Sequence, residues 1–263
     1  MKSNEENYRE AAKYYDACFS YRKDTSFYVD MVKRCGGSVL ELGCGTGRVS
    51  FAIAKFATSV IGLDVSQPRL DIANTRRQAI DASLAEKITF VPGDMRDFSF
   101  NRKFDLIIIP FRGFQHVLTI DQQKSVFRCI GEHLEEGGRL VFDVFNPSIP
   151  LLASDSMLEE FEEQKEMILE SGESVSVSGK ITNRDYFKQT LSAQEIYYVK
   201  STGGDIRKII LEYNSRYTFI FELVHLLELC DYKVLHTWSG FEFQQYGDSN
   251  YPGEIIIEAS KVT

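Results

Sequence analysis

Between positions 38 and about 148, short apolar runs alternate with longer stretches whose apolar residues recur every three to four positions. SVLEL (38–42), SVIGLDV (59–65), KITFVPGDM (87–95), FDLIIIPF (104–111) and GRLVFDVF (138–145) have the length and content of buried strands. Three stretches between them, GRVSFAIAKFA (47–57), SQPRLDIANTRRQAIDASL (66–84) and DQQKSVFRCIGEHL (121–134), have helical periodicity. Ser66 stands at a helix N-cap position with Pro68 in the first turn, which fixes that entry. Apolar strands alternating with helices predict crossover units and a parallel sheet covered on both faces.

Beyond Asn146-Pro147 and Pro150 the pattern changes. A polar, acidic stretch (155–173) carries no element signal. The segments SVSVSGKI, DYFKQTLSAQEIYYVK and IRKIILEYNSRYTF then alternate as antiparallel strands do, with a turn at Ser201-Thr-Gly-Gly-Asp205. FIFELVHLLELC (219–230) reads as a helix, and KVLHTWSG (233–240) and GEIIIEASK (253–261) as two final strands that complete the first sheet. The expected fold class is α/β, a Rossmann-like, seven-stranded, mostly parallel sheet with helices on both faces. An antiparallel β insertion sits between strand 5 and the last helix. In this reading residues 1–150 and 218–263 form the main domain and 151–217 the insertion, a lid for a substrate.

Composition narrows the partners. With 263 residues the chain can build a large core, and 43% hydrophobic with 26% charged residues is ordinary for a globular protein. A net charge of −8 without clustered Lys and Arg argues against nucleic acid. Five scattered cysteines (18, 35, 44, 129, 230) lack metal or redox spacing, so reduced thiols and a cytoplasmic location are expected. The opening MKSNEENYRE is polar, unlike a secretory leader, and no apolar run is long enough for a bilayer. No metal-ligand cluster is visible and none is expected. Small molecules are the expected partners, and a homodimer is compatible with the sequence.

The chemistry concentrates where the first strand ends. Gly43, Gly45 and Gly47 alternate in a loop between strand and helix, at the sheet edge where open α/β folds bind ligands. A tight turn alone needs one such residue; three point to a ligand resting on the backbone. The spacing G-x-G-x-G is not the dinucleotide G-x-G-x-x-G, because Arg48 or Ser50 occupies the third position, and no Gly-Lys-Ser/Thr of a P-loop follows.

Glu41-Leu-Gly-Cys-Gly-Thr-Gly47 resembles the first motif of the class I S-adenosylmethionine-dependent methyltransferases, and the resemblance extends over about the first 150 residues. It implies S-adenosylmethionine as cofactor, held by Glu41, Gly43, Cys44, Gly45 and Gly47. Asp64, followed by Val65, matches the acid that holds the ribose hydroxyls, since a carboxylate accepts two vicinal O–H donors. Gly93-Asp94-Met95-Arg96 is similar to the adenine-binding motif, and Pro110-Phe111 stand beside the methionine moiety. Within the family the chain is closest in character to small-molecule N-methyltransferases of the amino-sugar and glycine N-methyltransferase-like branch. A strand-ending Asp is also a common helix cap, and Gly-Asp a common turn.

Methyl transfer needs alignment and, for an amine acceptor, a base. His116, six residues past Pro110, is the candidate base, with a polar loop residue as the alternative. Tyr15 is the candidate that folds over the cofactor, placed just before a helix. Core packing accounts for Tyr14 and Tyr15 equally. Arg22 is a candidate partner for the cofactor carboxylate, or a solvated surface residue. His133 and His225 lie in apolar helical patterns and read as structural. The expected reaction is in-line methyl transfer to nitrogen or oxygen of a small acceptor. The other readings are a non-catalytic S-adenosylmethionine binder and, against the glycine spacing, a nicotinamide-dependent oxidoreductase.

Overall fold

The computed structural model describes residues 4–19 and 23–262. In chain order the helices are α1 (Asn4–Phe19), α2 (Asp24–Cys35), α3 (Arg48–Ile53), α4 (Gln67–Gln78), α5 (Ala82–Ala85), α6 (Ile120–His133), α7 (Ile149–Ala153) and α8 (Ile220–Leu229). The strands are β1 (Ser38–Leu42), β2 (Ser59–Asp64), β3 (Ile88–Pro92), β4 (Phe104–Ile109), β5 (Leu134–Phe145), β6 (Phe161–Ile168), β7 (Ser174–Asp185), β8 (Thr190–Lys200), β9 (Ile206–Arg216), β10 (Tyr232–Trp238) and β11 (Glu254–Lys261). They divide between two compact units, residues 23–147 with 217–262 and residues 4–19 with 148–216.

The larger unit holds a seven-stranded sheet in the order β10-β11-β5-β4-β1-β2-β3. Strands β1 to β5 are mutually parallel, and β11 runs antiparallel between β5 and β10. Because alternate residues of a strand face opposite sides, Leu40 and Leu42 enter a core with Phe127, Ile130 and Leu227 of α6 and α8. Val39 enters a second core with Tyr28, Met31 and Val32 of α2 and Ile53 of α3. Every residue of β1 is buried, which is why no alternation was visible there.

The smaller unit is an antiparallel sheet, β6-β7-β8-β9. On α1, Ala11, Tyr14 and Cys18 recur at helical spacing and are buried. Within this unit the Asn7 amide donates to the Ile210 carbonyl at 3.0 Å. Arg207 donates to the Tyr14 hydroxyl and pairs with Glu10. Tyr14 is therefore a packing residue. Burial beside Glu195 pushes the Cys18 thiol up to about 12.

Several expectations need correction. The N-terminal helix belongs with the antiparallel sheet rather than with the sheet of 38–145, and Tyr15-Asp16 lie inside it, not before a helix. The stretch 66–84 is two helices, broken where Asp81 caps α5 by accepting from the Ser83 N–H. The acidic stretch 155–173 contains β6, an edge strand whose charges discourage pairing with another chain. The first crossover helix ends at Ile53, four residues early.

Candidate functional site

The loop after β1 answers the question of its glycines residue by residue. Gly43, Gly45 and Gly47 all have positive φ (78°, 56° and 81°), a region that side chains make costly. At Gly47 a Cβ would stand 2.6 Å from Phe90 Cζ and 2.9 Å from Phe51 Cε2, so packing forbids it. At Gly43 the nearest atom would be Met95 Cε at 3.5 Å, and at Gly45 Arg69 Cδ at 3.9 Å. Protein atoms do not crowd these two positions. The loop is fixed to β2 by Gly43 and Cys44 N–H groups donating to the Leu63 carbonyl at 2.7 and 3.1 Å.

Asp64 ends β2 and is only 6% exposed. One carboxylate oxygen accepts from the Gly45 N–H at 2.7 Å, the other from the Ser66 N–H at 2.8 Å. It thus both fixes the chain entering α4 and locks the glycine loop; Ser66 at the N-cap makes no side-chain cap bond. Two oxygens have about four lone-pair sites, so acceptor capacity remains for a diol. Val65 beside it is exposed and Cys44 buried. After β3, Asp94 accepts from the Arg96 backbone N–H at 2.9 Å and pairs with its guanidinium at 2.5 Å, which holds the carboxyl below the usual range. Arg96 thereby occupies the carboxylate for which an amine donor was expected. Met95 reaches back against the Gly43 position and sits near Gly113 of the loop after β4.

That loop is strained. Phe111 and Arg112 follow buried Pro110 with φ of 54° and 61°, uncommon for residues with side chains. Gly113–His116 form a 3-10 turn, with His116 exposed at its end. Asp143 on β5, which sequence reasoning missed, holds the strained pair. Its Oδ1 accepts from the Phe111 N–H at 2.9 Å and the Tyr28 hydroxyl at 2.6 Å; its Oδ2 accepts from the Arg112 N–H at 2.9 Å. Asp24, also missed, pairs with Arg48 at 2.5 Å, and the Arg48 guanidinium lies 5.5 Å from the Phe111 ring centre. No sequence signal distinguishes Asp143 from any other strand residue; only its neighbours across 32 and 115 positions do.

Burial raises two acids here. Glu41, fully enclosed and accepting from Ser50 Oγ, is pushed up to about 8 by burial; Asp143 is pushed up to about 7 for the same reason. Glu41 lies on the face toward α3 and beneath the loop. His133 is buried, accepting the Phe100 N–H at 2.8 Å and contacting the Cys129 carbonyl at 2.7 Å, a structural histidine. His225 is exposed rather than packed, 3.4 Å from Glu228. Tyr15 belongs to the smaller unit, where its ring stands 5.0 Å from Phe19. Arg22 lies outside the described residues. The larger unit thus brings Gly43, Gly45, Asp64, Asp94, Met95, Pro110 and Phe111 to the carboxyl edge of neighbouring strands.

Residues 39–138 match a family model described as "Methyltransferase domain". The cypemycin N-terminal methyltransferase of Streptomyces sp is 34% identical over 113 residues, 43% of this chain and 44% of the relative. The dTDP-3-amino-3,4,6-trideoxy-alpha-D-glucopyranose N,N-dimethyltransferase of Streptomyces venezuelae is 29% identical over 126 residues, 47% and 50% of the two chains. The chain spans about half the length of the curated relatives it matches. Along its full length it superposes on the CcbJ methyltransferase from Streptomyces caelestis, covering 100% of both chains with a TM-score of 0.78 at 22% identity. At that identity the likeness is one of fold, and the fold is that of the class I methyltransferases.

Proposed function

Because residues 39–138 match the methyltransferase-domain model, we propose that this chain is an S-adenosylmethionine-dependent methyltransferase acting on a small molecule, most plainly at nitrogen. The observation that carries the reading is the pair Gly43 and Gly45. Both are held in left-handed conformation with no protein atom within 3.4 Å of a would-be Cβ, beside the oriented Asp64 carboxylate. That donor set fits an adenosyl ligand: open backbone for close approach, an acid for the ribose, and Val65 and Met95 as apolar surface. Relatives named for N-methylation support nitrogen as the acceptor atom.

Bound there, S-adenosylmethionine would supply a methyl group on a sulfonium, transferred in line to the acceptor's lone pair while the C–S electrons return to sulfur. Asp64 orients the ribose. Glu41 stays behind the loop as a buried prop. Pro110 and Phe111 face the methionine moiety, and exposed His116 takes the proton that the methylated amine releases. Tyr15 enters on the resemblance alone. Among the described residues no helix is long and apolar enough to cross a membrane, and all five cysteines are free thiols. These features and the net charge of −8 fit a cytoplasmic enzyme whose partners exclude nucleic acid.

Titration calorimetry with S-adenosylhomocysteine and NAD on the wild type and Asp64→Asn tests the reading. We expect the adenosyl ligand to bind and NAD not to. Asp64→Asn should weaken binding by at least about tenfold, the worth of a hydrogen bond to a charged group. Binding of NAD alone would overturn it.

A further inference from the structure

The reading above leaves Asp143 without a task, although it is among the most enclosed carboxyls of the larger unit, 1% exposed. Left-handed conformations at two consecutive residues with side chains persist only where the surroundings over-determine them, and they collect at ligand clamps. Phe111 and Arg112 are such a pair. Both of their N–H groups point at one carboxylate, and the carboxylate is completed by the Tyr28 hydroxyl from α2. Further ties hold the same loop. Arg112 reaches Glu254 at 2.6 Å, and Gln115 Oε1 accepts the Phe145 N–H at 3.0 Å. The Arg48 guanidinium over the Phe111 ring is itself held by Asp24 and Thr25.

We propose that Tyr28 and Asp143 are positioning residues, a clamp that holds the Phe111–His116 loop in one strained conformation so that it meets its ligands preorganised. What the loop does with a ligand rests on the methyltransferase reading; the clamp itself does not. The chemistry of the clamp is specific. Three donors face the two oxygens of Asp143, so only the ionised carboxylate satisfies them all. A proton on Oδ2 would face the Arg112 N–H and release it. The Tyr28 hydroxyl and the Arg112 guanidinium favour the ionised form, while burial, Asp24 and Glu254 oppose it. The balance leaves Asp143 near neutrality, at about 7. Removing the hydroxyl therefore tilts the clamp toward its protonated, open state.

The test is amide hydrogen exchange of residues 111–117 in the ligand-free protein across pH 6 to 9 (~3 units around neutrality), for wild type, Tyr28→Phe and Asp143→Asn. Turnover is measured on the same samples and thermal melts verify folding. Tyr28→Phe keeps the buried ring and removes one oxygen. It should speed exchange in this segment about tenfold at neutral pH and move the acid-side loss of protection upward by about one pH unit. Strands β7 to β9 should be unaffected. Once an acceptor is in hand, kcat should fall about tenfold while KM for S-adenosylmethionine stays within about threefold, since the glycine loop and Asp64 are untouched. Asp143→Asn should abolish the pH dependence of the segment's protection, taken as the exchange rate relative to the intrinsic base-catalysed amide rate at each pH. Exchange unchanged from wild type in both variants overturns the clamp. Faster exchange with unchanged kcat overturns its positioning role. A wild type that binds no adenosyl ligand sinks the methyltransferase reading, while the exchange measurement still decides the clamp.

Discussion

Alanine at Gly47 and at Gly45 separates the two reasons a chain has for placing glycine in this loop. Both positions have positive φ, so an alanine at either costs about 1–2 kcal/mol in backbone strain. At Gly45 the new methyl meets nothing closer than 3.9 Å, and the cost stops there. At Gly47 it meets Phe90 at 2.6 and 3.1 Å and Phe51 at 2.9 Å, two rings already packed edge to face at 5.5 Å. Overpacking adds about 1–3 kcal/mol. Gly47→Ala should therefore be less stable than Gly45→Ala by about 1–3 kcal/mol. At about 2–4 °C per kcal/mol for a chain of this size, that is a melting difference of about 2–12 °C, read by scanning calorimetry. The ligand effect should run the other way. Gly45→Ala puts a methyl where the adenosyl ligand would lie and should weaken S-adenosylhomocysteine binding more than Gly47→Ala does in the protein that remains folded. Equal melting temperatures would refute the packing argument for Gly47. Normal binding by Gly45→Ala would refute the reading of that position as a ligand contact.

Stability should fall as pH rises from about 5 to 8. Burial holds Glu41 and Asp143 at about 8 and about 7, above their unfolded values, so the folded state binds more protons in that window. Each group contributes up to about 1.4 kcal/mol per pH unit. Urea melts across the window check the sign, and Glu41→Gln should flatten the slope; rising stability toward pH 8 would contradict it. His133→Ala should cost about 1–3 kcal/mol, because it strands the part-buried Phe100 N–H, with ligand affinity unchanged in calorimetry. His116→Gln, at an exposed position, should leave the melting temperature within about 1–2 °C. Turnover of an amine acceptor should drop by about 10² or more. An unchanged rate would return His116 to the role of a polar loop residue.

The pattern of apolar runs determined the strands of the main sheet, because a strand covered on both faces is mainly apolar, as β1 is with every residue buried and β4 with only Asp105 charged. The glycine loop and the acid ending β2 were legible for a similar reason: left-handed backbone and a strand-end carboxylate leave a trace in residue type. What sequence could not decide is what depends on who lies across the fold. SVLEL and the Gly-rich loop do not disclose that Gly47 faces Phe90 at 2.6 Å while Gly45 meets nothing closer than Arg69 at 3.9 Å. Polarity hid β6, since an edge strand keeps its charges in water and loses the apolar signal. The amphipathic stripe of α1 marks a buried face but not which sheet covers it; the antiparallel one does. Asp143 reads as one polar residue in an apolar strand, and its meaning comes from Tyr28, Phe111 and Arg112, brought together over 31 to 115 positions. Local sequence specifies periodicity and backbone conformation, because these are set by neighbouring residues; the partners of a buried charge are set only when distant segments close around it.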